Sequence, residues 1–458
     1  MIPICFPQDV YLRSDGGEAI QLLASGAAPT PDRIYLVLNE LLEQMVRDCK
    51  NNGIAVPVRL PESLLASPHR PARLADILRA GQPLKRQEMR ICLFNGGGGG
   101  LGDAIMFAPA LRILSERLRQ LGVTKCRLDV FSMFAGRTAV IFQGLADVRV
   151  RPLPLSLQEF LQYDAYVDYS GMLLDQDFQQ SHMTDFALGR MGIDPASVAD
   201  REKAPFLNLD QERPPALEQA ISNARQAAGN KPLVAVIFRS SLTRTMPDCK
   251  AAGLCEVMAQ AYQPVILLPS REEARQFVIR NVLSSTVIDL SEHSTSFMQY
   301  MLLLQAMDGL VSVDTSAVHI GGALHKPTVA IFNSINHAYR TRYSPTVTAM
   351  QLPYRGKSCQ APCGLSKITS FVEGKLGSGR QFRLEFGHAC DEAIDKNQLL
   401  DEVIGQINAG EAAGTAEANL AAIQAQAAPK FSGPPAPCWE KLKINDVLRV
   451  LHQAMGGR

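Results

Sequence analysis

The sequence predicts an α/β fold made of two halves, each on its own parallel sheet, and three observations predict it. From Met89 onward, short apolar strands alternate with segments of helical spacing, the pattern of a parallel sheet with helices on its faces. The alternation starts afresh near Lys231. A chain of 458 residues is also too long for one core. Two such halves leave a cleft between them, a common place for a ligand.

The elements follow in order. Residues 1–88 form an accessory segment. Thr30-Pro31-Asp32 reads as a helix start, with a capping hydroxyl, proline at the first helical position and an acid in the first turn. Ile34, Leu38, Leu41, Leu42 and Met45 continue it at helical spacing. Pro57, Pro61, Pro68 and Pro71 imply loops, and a short helix is expected around Leu74, Ile77 and Leu78. The first α/β half, 89–228, has strands at 89–95, 126–133, 147–152 and 164–169 and a helix at 103–120. Ser156-Leu157-Gln158-Glu159 carries a capping-box signature.

The second half, 229–408, has strands at 233–238, 265–269, 287–290, 310–314 and 328–332. Helices are expected at 249–262, 271–283, 296–307 and 316–325, and residues 203–230 join the halves. Residues 409–437, rich in Ala, Gly, Gln and Pro, read as a linker. Trp439, Ile444, Val447, Leu448 and Leu451 then form a small amphipathic helix over 438–458, expected to dock on the body.

Lys plus Arg is 46 and Asp plus Glu is 45, a net charge of +1, which removes the bulk argument for nucleic-acid binding. No basic leader precedes an apolar stretch at the start, and no apolar run reaches bilayer length. The expected location is the cytoplasm, at most at the inner-membrane face. Ten scattered cysteines do not make a secreted disulfide scaffold.

Three loops carry chemistry. Asn95 is followed by five glycines, Leu101, Gly102 and Asp103, between a strand and a helix. Glycines there admit a sharp turn and a close approach of substrate, and the helix N-terminus favours anions. The loop lacks the Gly-Lys-Ser/Thr of a phosphate-binding P-loop and does not match G-x-G-x-x-G cleanly. On local sequence Asp103 is either a helix-capping acid or a catalytic carboxylate.

In the second loop, Val313-Asp314-Thr315-Ser316-Ala317-Val318-His319, two hydroxyls and free backbone N–H groups at a helix start suit a diphosphate without a metal ion. His319, one turn on, would alone read as a packed core histidine. The third loop runs from Phe238 to Pro247, where Arg239, Ser240 and Arg244 leave a strand end and the arginines are cations for phosphate oxygens. Solvated loop arginines are the plainer alternative.

Together these segments resemble glycosyltransferase family 9, which includes the ADP-heptose–lipopolysaccharide heptosyltransferases. Residues 102–112, from Gly102-Asp103 to Pro109-Ala110-Leu111-Arg112, resemble the family's opening helix. Ser312-Val313-Asp314-Thr315-Ser316 through His319, then Ala323 to Pro327, resemble its donor-binding signature, with Ser316 where Gly is usual. Arg244-Thr245-Met246-Pro247 resembles a Lys-x-Trp-Pro element, with Arg for Lys and Met for Trp. The resemblance covers about residues 89 to 408.

It implies a GT-B fold, two Rossmann-like domains facing a cleft, and transfer with inversion and no metal in the chemical step. It makes Asp103 the general base, Arg244 the cation for the departing diphosphate, and Gly102, Arg239, Ser240, Asp314, Thr315, Ser316 and His319 the donor site. Glu272 or Glu273 would hold the donor ribose. A free aspartate has a pKa of about 3.9, so partial burial would help Asp103 act as a base.

The implied partners are a nucleotide-sugar donor, with ADP-heptose the family's best-known one, and a glycolipid or protein acceptor; an oligomer is compatible. A non-catalytic nucleotide-sugar-binding component of a glycan assembly complex is the alternative, and a nicotinamide oxidoreductase lacks its fingerprint.

Cys359 and Cys363, then His388 and Cys390, lie in an insertion at 355–392. In the branch of the family that modifies autotransporter proteins, which also carries extra N-terminal sequence, such cysteines hold iron. Three cysteines and a histidine match a four-ligand structural site for Fe or Zn. Reduced thiols or a disulfide are the alternatives.

Overall fold

The computed structural model describes residues 1–13, 19–26, 28–67, 69–84, 86–98, 100–170, 172, 178, 180–240, 244–356, 360–362 and 436–456. The four candidate metal ligands and nearly all of the expected linker lie outside them. The chain divides into two compact units, Met1–Asn208 and Leu209–Arg458.

Unit 1 opens with β1 (Ile2–Cys5), the hairpin of β2 (Val10–Arg13) and β3 (Ala19–Leu22), β4 (Tyr35–Val37), α1 (Asn39–Asn51) and β5 (Val58–Arg59). The expected helix start at Thr30 is one turn of 3-10 helix, Pro31–Arg33, and Tyr35–Val37 is a strand. The reason is burial on both sides. All three strand residues are buried, and β4 pairs antiparallel with β1 on one edge and with β10 (Leu155–Ser156) on the other. The helix begins only at Asn39.

The order then continues with β6 (Ala72–Arg73), α2 (Leu74–Ala80), β7 (Glu88–Phe94), α3 (Leu101–Gln120), β8 (Lys125–Ser132), α4 (Ala135–Phe142), β9 (Val148–Pro152), β10, α5 (Leu157–Phe160), β11 (Ala165–Asp168) and α6 (Met183–Met191). Ser156 Oγ accepts the Glu159 N–H at 3.1 Å, the cap expected from the sequence. The main sheet runs β6-β11-β7-β8-β9, all parallel. Residues 1–88 are woven into this unit, since β6 extends the main sheet and β10 extends the small one.

Unit 2 begins with α7 (Pro215–Ala228), a helix within the stretch expected to join the halves. It belongs here because Arg225 pairs with Asp308, whose carboxylate also accepts the Leu233 N–H at 2.8 Å. The series continues with β12 (Leu233–Ile237), α8 (Asp248–Met258), β13 (Gln263–Ile266), α9 (Arg271–Arg280), β14 (Ile288–Asp289), α10 (Phe297–Ala306), β15 (Gly309–Val313), α11 (Ser316–Ala323), β16 (Thr328–Phe332), α12 (Ala338–Thr341) and β17 (Val347–Gln351). A short antiparallel pair, β18 (Tyr354–Arg355) and β19 (Gln360–Ala361), and the terminal helix α13 (Ile444–Ala454) complete it.

The six-stranded sheet runs β14-β13-β12-β15-β16-β17, all parallel. That is the doubly wound order 3-2-1-4-5-6 of the Rossmann fold. Strands β12, β15 and β16 are buried at every position, as strands covered on both faces must be. Trp439, Val447 and Leu451 from the C-terminal segment join the core that holds Phe238, Met246 and Phe277. Each unit is thus an α/β, Rossmann-like body. Among the described residues no helix is long and apolar enough to cross a membrane.

Candidate functional site

In a doubly wound sheet the strand order reverses once, and the loops leaving the carboxyl ends of the two strands there part to make a crevice. In unit 2 that point lies between β12 and β15, which are direct neighbours with Ile237 opposite Ser312. The two loops singled out from the sequence, after β12 and after β15, leave from these two strand ends.

The loop after β12 is fastened by its own residues. The Thr245 hydroxyl donates to the Ser240 carbonyl at 2.7 Å and accepts the Ser240 N–H at 3.0 Å. The Met246 N–H bonds the Phe238 carbonyl at 2.9 Å, and Met246 is buried in the core. Methionine where the family pattern has tryptophan still anchors the loop by burial. Ser240 then ties the loop to its neighbour, its hydroxyl donating to the Asp314 carbonyl at 2.8 Å. Arg244 Nη1 donates to Asp314 Oδ2 at 3.1 Å, with Asp314 almost fully buried.

Arg239 and Arg244 take different partners. Arg239 Nε bonds Glu273 and its Nη1 bonds Asp248, both at 2.6 Å, with the guanidinium over the Phe238 ring. Burial works against the Arg239 charge, but the bonds to Asp248 and Glu273 outweigh it and hold its pKa raised. Expected to meet phosphate oxygens, Arg239 is here joined to two carboxylates. The two glutamates also separate. Ser270 caps α9 by accepting the Glu273 N–H at 3.1 Å, and Glu273 faces Arg239. Glu272 is exposed and accepts from Gln276 on its own helix. Asp248 and Thr245 were not singled out from the sequence. Asp248 was legible only as a first-turn acid after Pro247.

At the end of β15, Thr315 is the N-cap of α11 in extended conformation and makes no side-chain capping bond. The first N–H groups of α11 therefore lack that capping acceptor, and they carry the positive end of the helix dipole. Thr315 and Ser316 are half-buried. His319 is 4% exposed, and its Nδ1 has no hydrogen-bond partner among the described residues. Burial, with Arg340 and Arg244 adding to it and Asp314 opposing, pulls its pKa down to about 4, so the ring is neutral at physiological pH. The cluster can receive an anion chain: N–H donors on one side, a guanidinium beside them, and a carboxylate, Glu273, at the next strand end.

Unit 1 has its own reversal point, between β7 and β11, where Phe94 lies opposite Asp168. The glycine run leaves β7 here. Asn95 takes positive φ (58°), a conformation in which asparagine is enriched. Gly98 has φ +67° and lies where an added Cβ would meet Met172 Cε at 2.7 Å. Gly100 is the N-cap of α3, and an added Cβ would meet Asp103 Oδ2 at 2.7 Å. The carboxylate of Asp103 is thus packed against the backbone that precedes it. Asp103 stands in the first turn of α3, half-buried, one residue after Gly102. Of the expected site residues, Asp103 and Gly102 belong to unit 1 and the rest to unit 2. Among the described residues no group of three or more His, Cys, Asp or Glu side chains is placed to hold a metal ion.

Residues 204–368 match the model of glycosyltransferase family 9 (heptosyltransferase). No curated protein sequence matches the chain. Among solved structures, it is similar to the ADP-heptose lipopolysaccharide heptosyltransferase II of Escherichia coli, with 16% identity, 57% of this chain and 90% of that chain covered, and a TM-score of 0.39. A family 9 glycosyl transferase from Veillonella parvula gives 12% identity, 58% and 87% coverage and a TM-score of 0.43. The iron-containing dodecameric glycosyltransferase TibC from enterotoxigenic E. coli gives 13%, 60% and 65%, and 0.40. The family match spans every unit 2 loop described above, so residues 204–368 are similar to a glycosyltransferase family 9 domain, which supports sugar transfer as the chain's activity.

Proposed function

We propose that the protein moves a sugar, heptose from ADP-heptose, onto a hydroxyl of a glycolipid or protein acceptor, with inversion and without a metal in the chemical step. The observation that carries this reading is the junction of the β12 and β15 loops, where Arg244 and the N-terminus of α11 meet at the strand-order reversal. A nucleotide diphosphate is the ligand such a junction suits: the helix N–H groups take one set of phosphate oxygens and Arg244 another. Glu273, rather than Glu272, is the carboxylate for the ribose.

The acceptor hydroxyl oxygen attacks the anomeric carbon from the face opposite the diphosphate. Its proton passes to the Asp103 carboxylate as the new C–O bond forms. The bond from the anomeric carbon to the diphosphate oxygen breaks, and the diphosphate leaves with the electron pair. Arg244 and the helix N–H groups offset the charge that grows on it, an effect larger in the transition state than before it. Neutral His319 adds no charge to the site. The reaction is placed in the cytoplasm, where nucleotide sugars are the donor currency, with the inner-membrane face open to a glycolipid acceptor.

The test is a panel of nucleotide sugars that includes ADP-heptose, followed by NMR of the anomeric proton. A product of inverted configuration supports the reading. Retained configuration, or turnover that stops on metal chelation, overturns the mechanism. Binding without turnover of any donor points to a nucleotide-sugar-binding component instead.

A further inference from the structure

Arg239 leaves the end of β12, next to the junction proposed for the diphosphate, yet both of its hydrogen bonds go to carboxylates on α8 and α9. The Phe238 ring lies under its guanidinium at 4.7 Å and packs on Phe277 at 4.6 Å, both rings fully buried. Glu273 and Phe277 are four residues apart and share one face of α9. That spacing brings Glu273 to Arg239 and leaves Glu272 on the outside. Arg239 Nε then holds Glu273 Oε1 and Nη1 holds Asp248 Oδ1, each at 2.6 Å. A guanidinium is a planar fork, so two such bonds fix its orientation, which a lysine ammonium could not do.

This clamp leaves one atom open. Glu273 Oε2 makes no hydrogen bond among the described residues, and the side chain is 33% exposed. A carboxylate with one oxygen tied and the other open is an acceptor aimed at hydroxyl donors. Asp248 steadies the arrangement from the other side. Its Oδ2 lies 3.9 Å from Arg280 Nη2, and Arg280 stands seven residues beyond Glu273 on α9. Asp248 thus reaches α9 twice, through Arg239 near its start and through Arg280 at its end.

Position agrees. Strand β13, which α9 follows, is the neighbour of β12 on the side away from β15, with Ile266 opposite Val236. A nucleotide with its diphosphate at the junction of β12 and β15 and its ribose toward β13 covers about one strand spacing, roughly 4.8 Å. Arg239 stands on the strand between, where its charge offsets the repulsion of Glu273 by phosphate.

We propose that Arg239 and Asp248 are positioning residues that aim Glu273 at the ribose hydroxyls of a nucleoside diphosphate, so that the site selects a ribonucleotide over its deoxy counterpart. The proposal rests on the reading of the β12 and β15 loops as a diphosphate site. The experiment is calorimetry on the full chain with ADP and 2′,3′-dideoxy-ADP. The variants are Asp248→Ala, Asp248→Asn, Arg239→Lys, Glu273→Gln and the double variant Asp248→Ala/Glu273→Gln, each checked for folding by a thermal melt.

Wild type should prefer ADP by at least about tenfold, the worth of hydrogen bonds to a charged group. Asp248→Ala and Arg239→Lys should each cut the preference below about threefold by weakening ADP alone. Asp248→Asn keeps an acceptor for Nη1 and should keep the preference. Glu273→Gln should lose it, and adding Asp248→Ala should change nothing further, because Asp248 acts through Glu273. Equal affinity of wild type for the two ligands, an unchanged preference in Asp248→Ala, or equal weakening of both ligands there overturns the proposal and leaves the diphosphate site standing. Failure of wild type to bind either ligand strikes at the diphosphate reading itself, and the proposal falls with it.

Discussion

The two strand-order reversals solve the same problem in opposite ways. In unit 2 the loops after β12 and β15 are held by side chains: Thr245 clasps Ser240, Ser240 bonds Asp314, and Arg244 pairs with Asp314. In unit 1 the loop after β7 is held by the absence of side chains, with Gly98 and Gly100 leaving room for Met172 and the Asp103 carboxylate. A site for a bound diphosphate has to be preorganised in charge, and ion pairs do that. A general base has to be placed to within a fraction of an ångström, and a tight backbone does that. On the proposed assignment of donor loops to unit 2 and general base to unit 1, the donor side should therefore fail when charges change, and the base side when volumes change.

The largest expected effect breaks the donor side. Arg244→Gln should lower kcat by about 10²–10³-fold, the usual cost of removing one donor to a developing anion. A rise in KM alone, with kcat intact, would mean that Arg244 only binds. Next comes pH. The His319 pKa, pulled down to about 4 by burial, lies below that of the unfolded chain, so the unfolded state takes up the proton first. The contribution to stability is complete above about pH 6.5 and is lost as pH falls toward 4, by about 3 kcal/mol in all. Urea unfolding of wild type and His319→Gln across that window should show a shallower loss in the variant.

On the base side, Gly100→Ala should cost about 10²-fold in turnover, because the new methyl displaces the Asp103 carboxylate, and small misplacements are that costly. Its melting temperature should move little. A variant that melts early and turns over normally would contradict the assignment. The smallest effect sharpens the donor side. Glu272→Gln should change stability by less than about 0.5 kcal/mol and leave donor affinity alone. Glu273→Gln should weaken donor binding, since Glu273 alone of the two faces the Arg239 cluster.

Much of unit 2 was legible in the sequence because its central strands are buried on both faces and write unbroken apolar runs, such as Leu233–Ile237 and residues 329–332. Unit 1 was harder at its margins. The strands of the small sheet are two to four residues long, too short to show a period. Ile34 to Leu38 fits helical spacing and a buried strand equally well until β1 and β10 are seen on either side. Helices α4 and α6 lack a start signal in the sequence, because Phe134 and His182 stand at their N-caps in place of Ser, Thr, Asp or Asn. At the site, the loops and their order were legible. The partners of Arg239 were not, because Asp248 and Glu273 reach it only through packing of α8 and α9.

One measurement tests the central claim most directly: donor binding and sugar transfer compared in wild type and Asp103→Ala. Asp103 lies in unit 1, while every donor-loop residue named here except Gly102 belongs to unit 2. Loss of turnover by about 10²–10⁴-fold with donor affinity intact is the result expected of a general base. Turnover that survives the substitution would contradict it.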